Sequence, residues 1–155
     1  CPEVVARCKA DGADAAILVP NCPVCHQSVS LAARMLEENG IVTVVMGCAK
    51  DIVEHVGVPR FLFSDFPLGN AAGRPNDPAS QALTLDLALR LLETALAPRT
   101  TVQSPLIWSA SPDWKLDYCN VARLSLEEIA RRRAAFDRQK AAARELREET
   151  GATSR

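Results

Sequence analysis

The run Asn21-Cys22-Pro23-Val24-Cys25-His26-Gln27 sets two thiols three positions apart, with an imidazole beside the second. One turn of helix would bring such thiols together. An adduct formed on Cys22 can then be resolved by Cys25 as a disulfide, with His26 stabilising a thiolate or shuttling protons. Soft-metal ligation is a second chemistry, drawing on Cys22, Cys25, His26 and Cys48, although structural zinc sites pair two such knuckles and the sequence supplies one. A third reading needs no chemistry, because free cysteine often packs as a small apolar residue. A further acid and amide stand in Ser64-Asp65-Phe66-Pro67-Leu68-Gly69-Asn70. Asp65 and Asn70 would orient an amino-acid-like substrate near a thiol, or would equally serve as turn residues bonded to their own backbone.

The elements around these residues set where they stand. Val4, Val5 and Cys8 share one side of an opening helix that ends near Asp11-Gly12. Ala15 to Val19 is an all-apolar run, the pattern of a strand covered on both faces. Helical spacing follows from Ser28 to Asn39, then a β-branched strand over Ile41 to Met46, a short helix over Ala49 to Val56 and a third strand at Phe61-Leu62-Phe63. Strands alternating with helices predict an α/β fold, an open and mostly parallel sheet with flanking helices, Rossmann-like or flavodoxin-like, joined by right-handed crossovers. In such sheets reacting groups lie beyond the C-terminal strand ends, which is where Cys22, Cys25 and Asp65 fall. A helix start there favours a thiolate, and a Cys-X-X-Cys thiol can drop from ~8.5 to ~3.5–7.5.

Residues 64–78 hold three Pro and two Gly, too long a run for an idle connection and expected to form a lid or binding loop. A Leu-rich helix from Ser80 to Ala97 reads as buried on most of its circumference. Thr100 to Tyr118 reads as an irregular segment wrapping a surface or a partner, with Trp108, Trp114 and Tyr118. Ser125-Leu126-Glu127-Glu128 is a capping box that opens a C-terminal helical tail, basic and with a thin apolar stripe. The expected organisation is an α/β redox domain over 1–99, the irregular segment over 100–124 and the helix over 125–150. The opening at Cys1, already in a helical pattern, leads us to expect a preceding segment.

In 155 residues, 48% are hydrophobic, 24% are charged and the formal net charge is −1. That balance suits one globular core and argues against a nucleic-acid partner. No apolar run nears the ~20 residues of a membrane span, and a cytoplasmic compartment with reduced thiols is the default. Cys8 and Cys119 stand alone as packing residues, and His55 beside Glu54 reads as a surface or interface residue.

The segments Cys22-Pro-Val-Cys-His-Gln27, Pro59-Arg-Phe-Leu-Phe-Ser-Asp-Phe-Pro-Leu-Gly-Asn70 and Gly73-Arg-Pro75 resemble the selenoprotein B family of glycine, sarcosine, betaine and D-proline reductases, nearest its D-proline reductase branch. The likeness spans about Val4 to Arg99. It implies that Cys22 stands where the family carries selenocysteine, as the nucleophile in reductive C–N cleavage, and that Cys25 is the thiol that resolves to a disulfide. It also implies a hetero-oligomer: a companion subunit bearing a pyruvoyl group, a dithiol electron donor, and no cofactor in this chain itself. The departure is sulfur in selenium's place at Cys22, less ionised at neutral pH and a poorer leaving group. A general thiol-disulfide oxidoreductase, a metal- or thiol-binding module and an interaction scaffold are the alternative readings.

Overall fold

A computed structural model describes residues 2–117 and 121–149; Cys1, Tyr118 and Cys119 lie outside the described residues. Two compact units divide the chain, Cys1–Ala110 and Ser111–Arg155. In the first, α1 (Pro2–Ala10) leads to β1 (Ala15–Leu18), α2 (Pro23–Glu38), β2 (Val42–Gly47), α3 (Lys50–Val56), β3 (Arg60–Phe63), α4 (Pro78–Thr94) and β4 (Thr100–Gln103). All four strands are parallel, in the order β1-β2-β3-β4. The expected open α/β sheet is present. Its described strands follow chain order, without the reversal at which Rossmann and flavodoxin sheets bind ligands.

Alternation along the strands sorts the core into two layers. Val45 and Phe61 turn to one face, against Ala33 of α2 and Val53 of α3. Val44, Met46 and Leu62 turn to the other, against Ala88 and Leu91 of α4. Neighbouring strand residues point to opposite faces, so α2 and α3 cover one side and α4 the other. Because the strand order advances in one direction throughout, the β3-α4-β4 connection is opposite in hand to the two before it. The expectation of right-handed crossovers throughout is therefore corrected. The physical reason is the long segment after β3, which carries the chain around the strand ends to the opposite face.

β4 falls in the stretch read as irregular. Thr100-Thr-Val-Gln103 is a four-residue strand at the sheet edge, paired among the described residues with β3 alone, too short for a period of two to show. α4 also differs from its expected all-round burial: Ser80, Thr84, Ala88 and Leu91 face inward, while Leu83, Leu85 and Leu89 are exposed. Cys8 packs against the small cluster of Val5, Leu36 and Ile41, in line with a packing role, and His55 is exposed in the last turn of α3.

One carboxylate ties α2 to the sheet. Glu37 Oε1 accepts from the Thr43 backbone N–H at 2.5 Å, the Thr43 hydroxyl at 2.9 Å and Arg60 Nη1 at 2.8 Å. Charge-assisted bonds of this kind are about twice as strong as neutral ones. They anchor the C-terminal end of α2 at the starts of β2 and β3, and so hold the helix whose other end carries the thiols.

In the second unit, a short helix α5 (Trp114–Asp117) and a 3-10 turn (Val121–Arg123) precede α6 (Leu126–Glu149). Ser125 Oγ caps α6 by accepting from the Glu128 N–H at 3.1 Å. The Glu128 carboxylate is taken by Arg131 and Arg132 at 2.7 and 2.6 Å, which holds it down at about 2. The capping box is thus realised in its Ser half. Leu126, Phe136 and Leu146 stay exposed as the thin stripe expected of this helix.

Candidate active site

α2 starts at Pro23, earlier than the periodicity from Ser28 implied. Proline at the first helical position has its φ already set and loses no intrahelical bond there. Cys22 is therefore the N-cap, with extended backbone at φ −111° and ψ 169°. Its sulfur takes the place of a capping oxygen, accepting from the Cys25 N–H at 3.3 Å. Cap and third helical position are the pair that a capping box brings together, so the two sulfurs meet at 2.9 Å as free thiols. Cys22 is exposed and Cys25 half-buried.

The Cys22 thiol donates to the Cys25 sulfur, and with backbone N–H groups of Cys22 and Asn21 this holds the Cys25 thiol below the usual thiol range. One proton thus serves two sulfurs. If charge gathers on Cys25, Cys25 can accept the Cys22 proton and leave Cys22, the outer sulfur, as the nucleophile.

His26 is placed otherwise than expected. It is fully buried, with Nδ1 2.7 Å from the Cys22 carbonyl and Nε2 3.0 and 3.3 Å from the backbone nitrogens of Cys48 and Ala49. Both nitrogens are committed to backbone groups, which leaves neither to stabilise a thiolate, shuttle protons or ligate a metal. The four-residue metal reading loses its imidazole in this way, and among the described residues no three of His, Cys, Asp and Glu are grouped to hold a metal ion.

Cys48, at the end of β2, is the opposite of the Cys22–Cys25 pair in its surroundings. Burial pushes its thiol up to about 11, against the pull of the Phe66 and Asn70 N–H groups that bond its sulfur, and the Asp65 charge adds to the rise. Iodoacetamide at neutral pH will therefore alkylate Cys22 and Cys25 in the native protein and spare Cys48 until denaturant is added. Peptide mass spectrometry reads the difference.

Asp65 and Asn70 belong to a loop pinned by its own bonds. Asn70 Nδ2 donates to the Pro67 carbonyl at 3.1 Å, and Gln81 Nε2 to the Arg74 carbonyl at 2.9 Å. Arg74 reaches Asp77 at 3.2 Å and the Ile107 carbonyl at 2.7 Å. Phe66 meets Trp108 edge to face at 5.3 Å, so this Trp packs on the loop itself. The loop forms one wall of an open pocket of about 600 Å³ on the α4 side of the sheet, lined by Ile17, Val19, Met46, Asn70, Gln81 and Leu85. Of the residues expected at the site, Asn70 alone lines it, and Asp65 stands by Cys48. Sequence reasoning missed Gly47, where a Cβ would come within 3.0 Å of the His26 ring. The signal was there: a glycine closing a β-branched strand marks a close approach.

No family model and no solved structure matches the chain. Over 93 residues it is 34% identical to D-proline reductase subunit gamma of Acetoanaerobium sticklandii, a match that covers 59% of this chain and 38% of the relative. The chain thus spans less than two fifths of the length of the curated relative it matches. Over those residues the chain is similar to D-proline reductase subunit gamma, which supports a relationship to that family.

Proposed function

We propose that this chain is the redox-active part of a thiol-dependent reductase subunit that acts on a small amino-acid-like substrate. The observation that carries the reading is the pair of free sulfurs 2.9 Å apart at the start of α2, the outer one exposed. In the proposed reaction Cys22 passes its proton to Cys25, and its thiolate attacks the substrate carbon that bears nitrogen. The C–N bond breaks, and the nitrogen leaves with the bonding pair and takes up a proton. Cys25, again deprotonated, then attacks the Cys22 sulfur. The C–S bond breaks, carbon keeps its pair and is protonated, and a Cys22–Cys25 disulfide remains. The substrate gains two electrons and two protons, and an external dithiol returns both thiols to the reduced form.

Asp65 and Asn70 orient the substrate from loop 64–78 in this proposal. His26 belongs to the support of the thiols. A pyruvoyl group on a companion subunit is the electron-withdrawing group that the family resemblance implies, and this chain's contribution to that meeting is the exposed Cys22 sulfur. The assembly is a hetero-oligomer in the cytoplasm; among the described residues no helix is long and apolar enough to cross a membrane. The test is Cys22→Ser in the assembled complex. Thiol-dependent substrate reduction is expected to fall by on the order of 10³-fold or more, as for other lost nucleophiles. Unchanged turnover would remove Cys22 from the reaction.

A further inference from the structure

His26 is the buried polar group in which the site is most tightly knit. Two N–H groups directed at Nε2 make that nitrogen the acceptor, so the proton sits on Nδ1 and is donated to the Cys22 carbonyl. The same carbonyl also receives the His26 backbone N–H at 3.0 Å. Gly47 clears space for the ring, since a Cβ there would lie 3.0 Å from Cδ2, 3.1 Å from Nε2 and 3.1 Å from the Phe61 ring. The path then continues through Cys48, whose N–H is held by His26 and whose sulfur takes the N–H groups of Phe66 and Asn70.

We infer that His26 is a positioning residue. It locks the N-cap peptide of Cys22 onto the turn between β2 and α3, so that Cys22 and Cys25 meet at the helix start. Through Cys48 it keeps the loop bearing Asp65 and Asn70 in register with them. This role rests on the redox reading of the thiol pair, and it gives the imidazole no proton to transfer. Without the ring, the Cys22 carbonyl turns more freely, and the N–H groups that favour a thiolate are no longer held at the sulfurs.

The test compares His26→Leu, His26→Asn and Gly47→Ala in the full chain. One readout is the pH profile of Cys22 and Cys25 alkylation by iodoacetamide. The other is the equilibrium with glutathione disulfide, in which the two thiols give up two electrons and two protons and two glutathiones form. In variants that keep the far-ultraviolet circular dichroism of the parent, alkylation at neutral pH should fall about tenfold in His26→Leu. His26→Asn should recover part of the loss, because its amide can donate to the Cys22 carbonyl, and Gly47→Ala should lie between. A folded His26→Leu with an unchanged profile and disulfide equilibrium overturns the inference, as does an Asn variant no better than the Leu one. If His26→Leu does not fold, Gly47→Ala decides, since it keeps the imidazole and displaces it; an unchanged profile there overturns the inference. Absence of any Cys22–Cys25 disulfide in the parent protein is a different result: it defeats the redox reading, while the alkylation profiles still decide the role of His26.

Discussion

Cys25→Ser, introduced into the assembled complex of the proposed function, will slow the first attack, because serine does not take the Cys22 proton, and will leave the substrate-derived group attached to Cys22, stopping turnover after a single C–N cleavage. Serine is close in size to cysteine and its hydroxyl can still accept the Cys22 hydrogen bond, and the cap at the start of α2 survives because the Cys22 sulfur accepts from the backbone N–H of residue 25. What is lost is the second sulfur, 2.9 Å from the first, which alone can attack Cys22 and release the adduct as a disulfide forms. The steady-state rate should fall by on the order of 10³-fold or more. Intact-mass and peptide analysis should show one substrate fragment per chain, located on Cys22. Cys22→Ser should show no fragment on either residue. The two variants together order the sulfurs, which acidity alone does not: the thiol held below its usual range is Cys25, and the exposed one is Cys22. A fragment found on Cys25 in the Cys22→Ser chain would reverse their roles.

The parts of the fold that could be read from the sequence are those in which side-chain type and burial agree. Val42 to Met46 is a strand because β-branched and apolar residues are covered on both faces, by α2 and α3 on one side and α4 on the other, whereas Ala15 to Leu18 forms its strand at the sheet edge only half-buried, short of the two-sided cover its apolar run predicts. The meeting of Cys22 and Cys25 was legible as well, since spacing of three at a helix start leaves few other outcomes. Three features were not. The first turn of α2 carries no apolar period, so a helix that begins with Pro23 was read as beginning at Ser28. β4 is too short and too polar for alternation to be seen. His26 beside two cysteines has the composition of a reactive cluster, and only the tertiary contact with the Cys48 and Ala49 backbone shows that its nitrogens are spent on support. Local patterns carry no record of which distant backbone donors approach a ring, apart from the glycine that makes room for it.

Phe61→Ala will destabilise the first unit by about 3–5 kcal/mol, the range for removing a buried aromatic ring. Phe61 is 1% exposed and lies among Ala33, Val45, Val53 and Val58, with its ring centroid 6.1 Å from that of Phe63. It sits in the middle of the sheet, paired with Val45 on one side and Thr101 on the other, so the surrounding backbone has little freedom to collapse into the hole. Against a typical domain stability of ~5–15 kcal/mol this is about a fifth of the total or more, visible in urea unfolding as a lower midpoint. Leu62→Ala, one residue on, should cost about 2–5 kcal/mol for the same reason on the opposite face, against Ala88 and Leu91. The two variants separate in what they do to the site. The Phe61 ring lies 3.1 Å from the position a Gly47 Cβ would take, next to the His26 ring, whereas Leu62 faces α4. Alkylation of Cys22 and Cys25, measured where both variants remain folded, should therefore slow in Phe61→Ala and hold its parent rate in Leu62→Ala. Equal slowing in both would mean that thiol reactivity follows overall stability, and that the layer beneath His26 has no particular part in it.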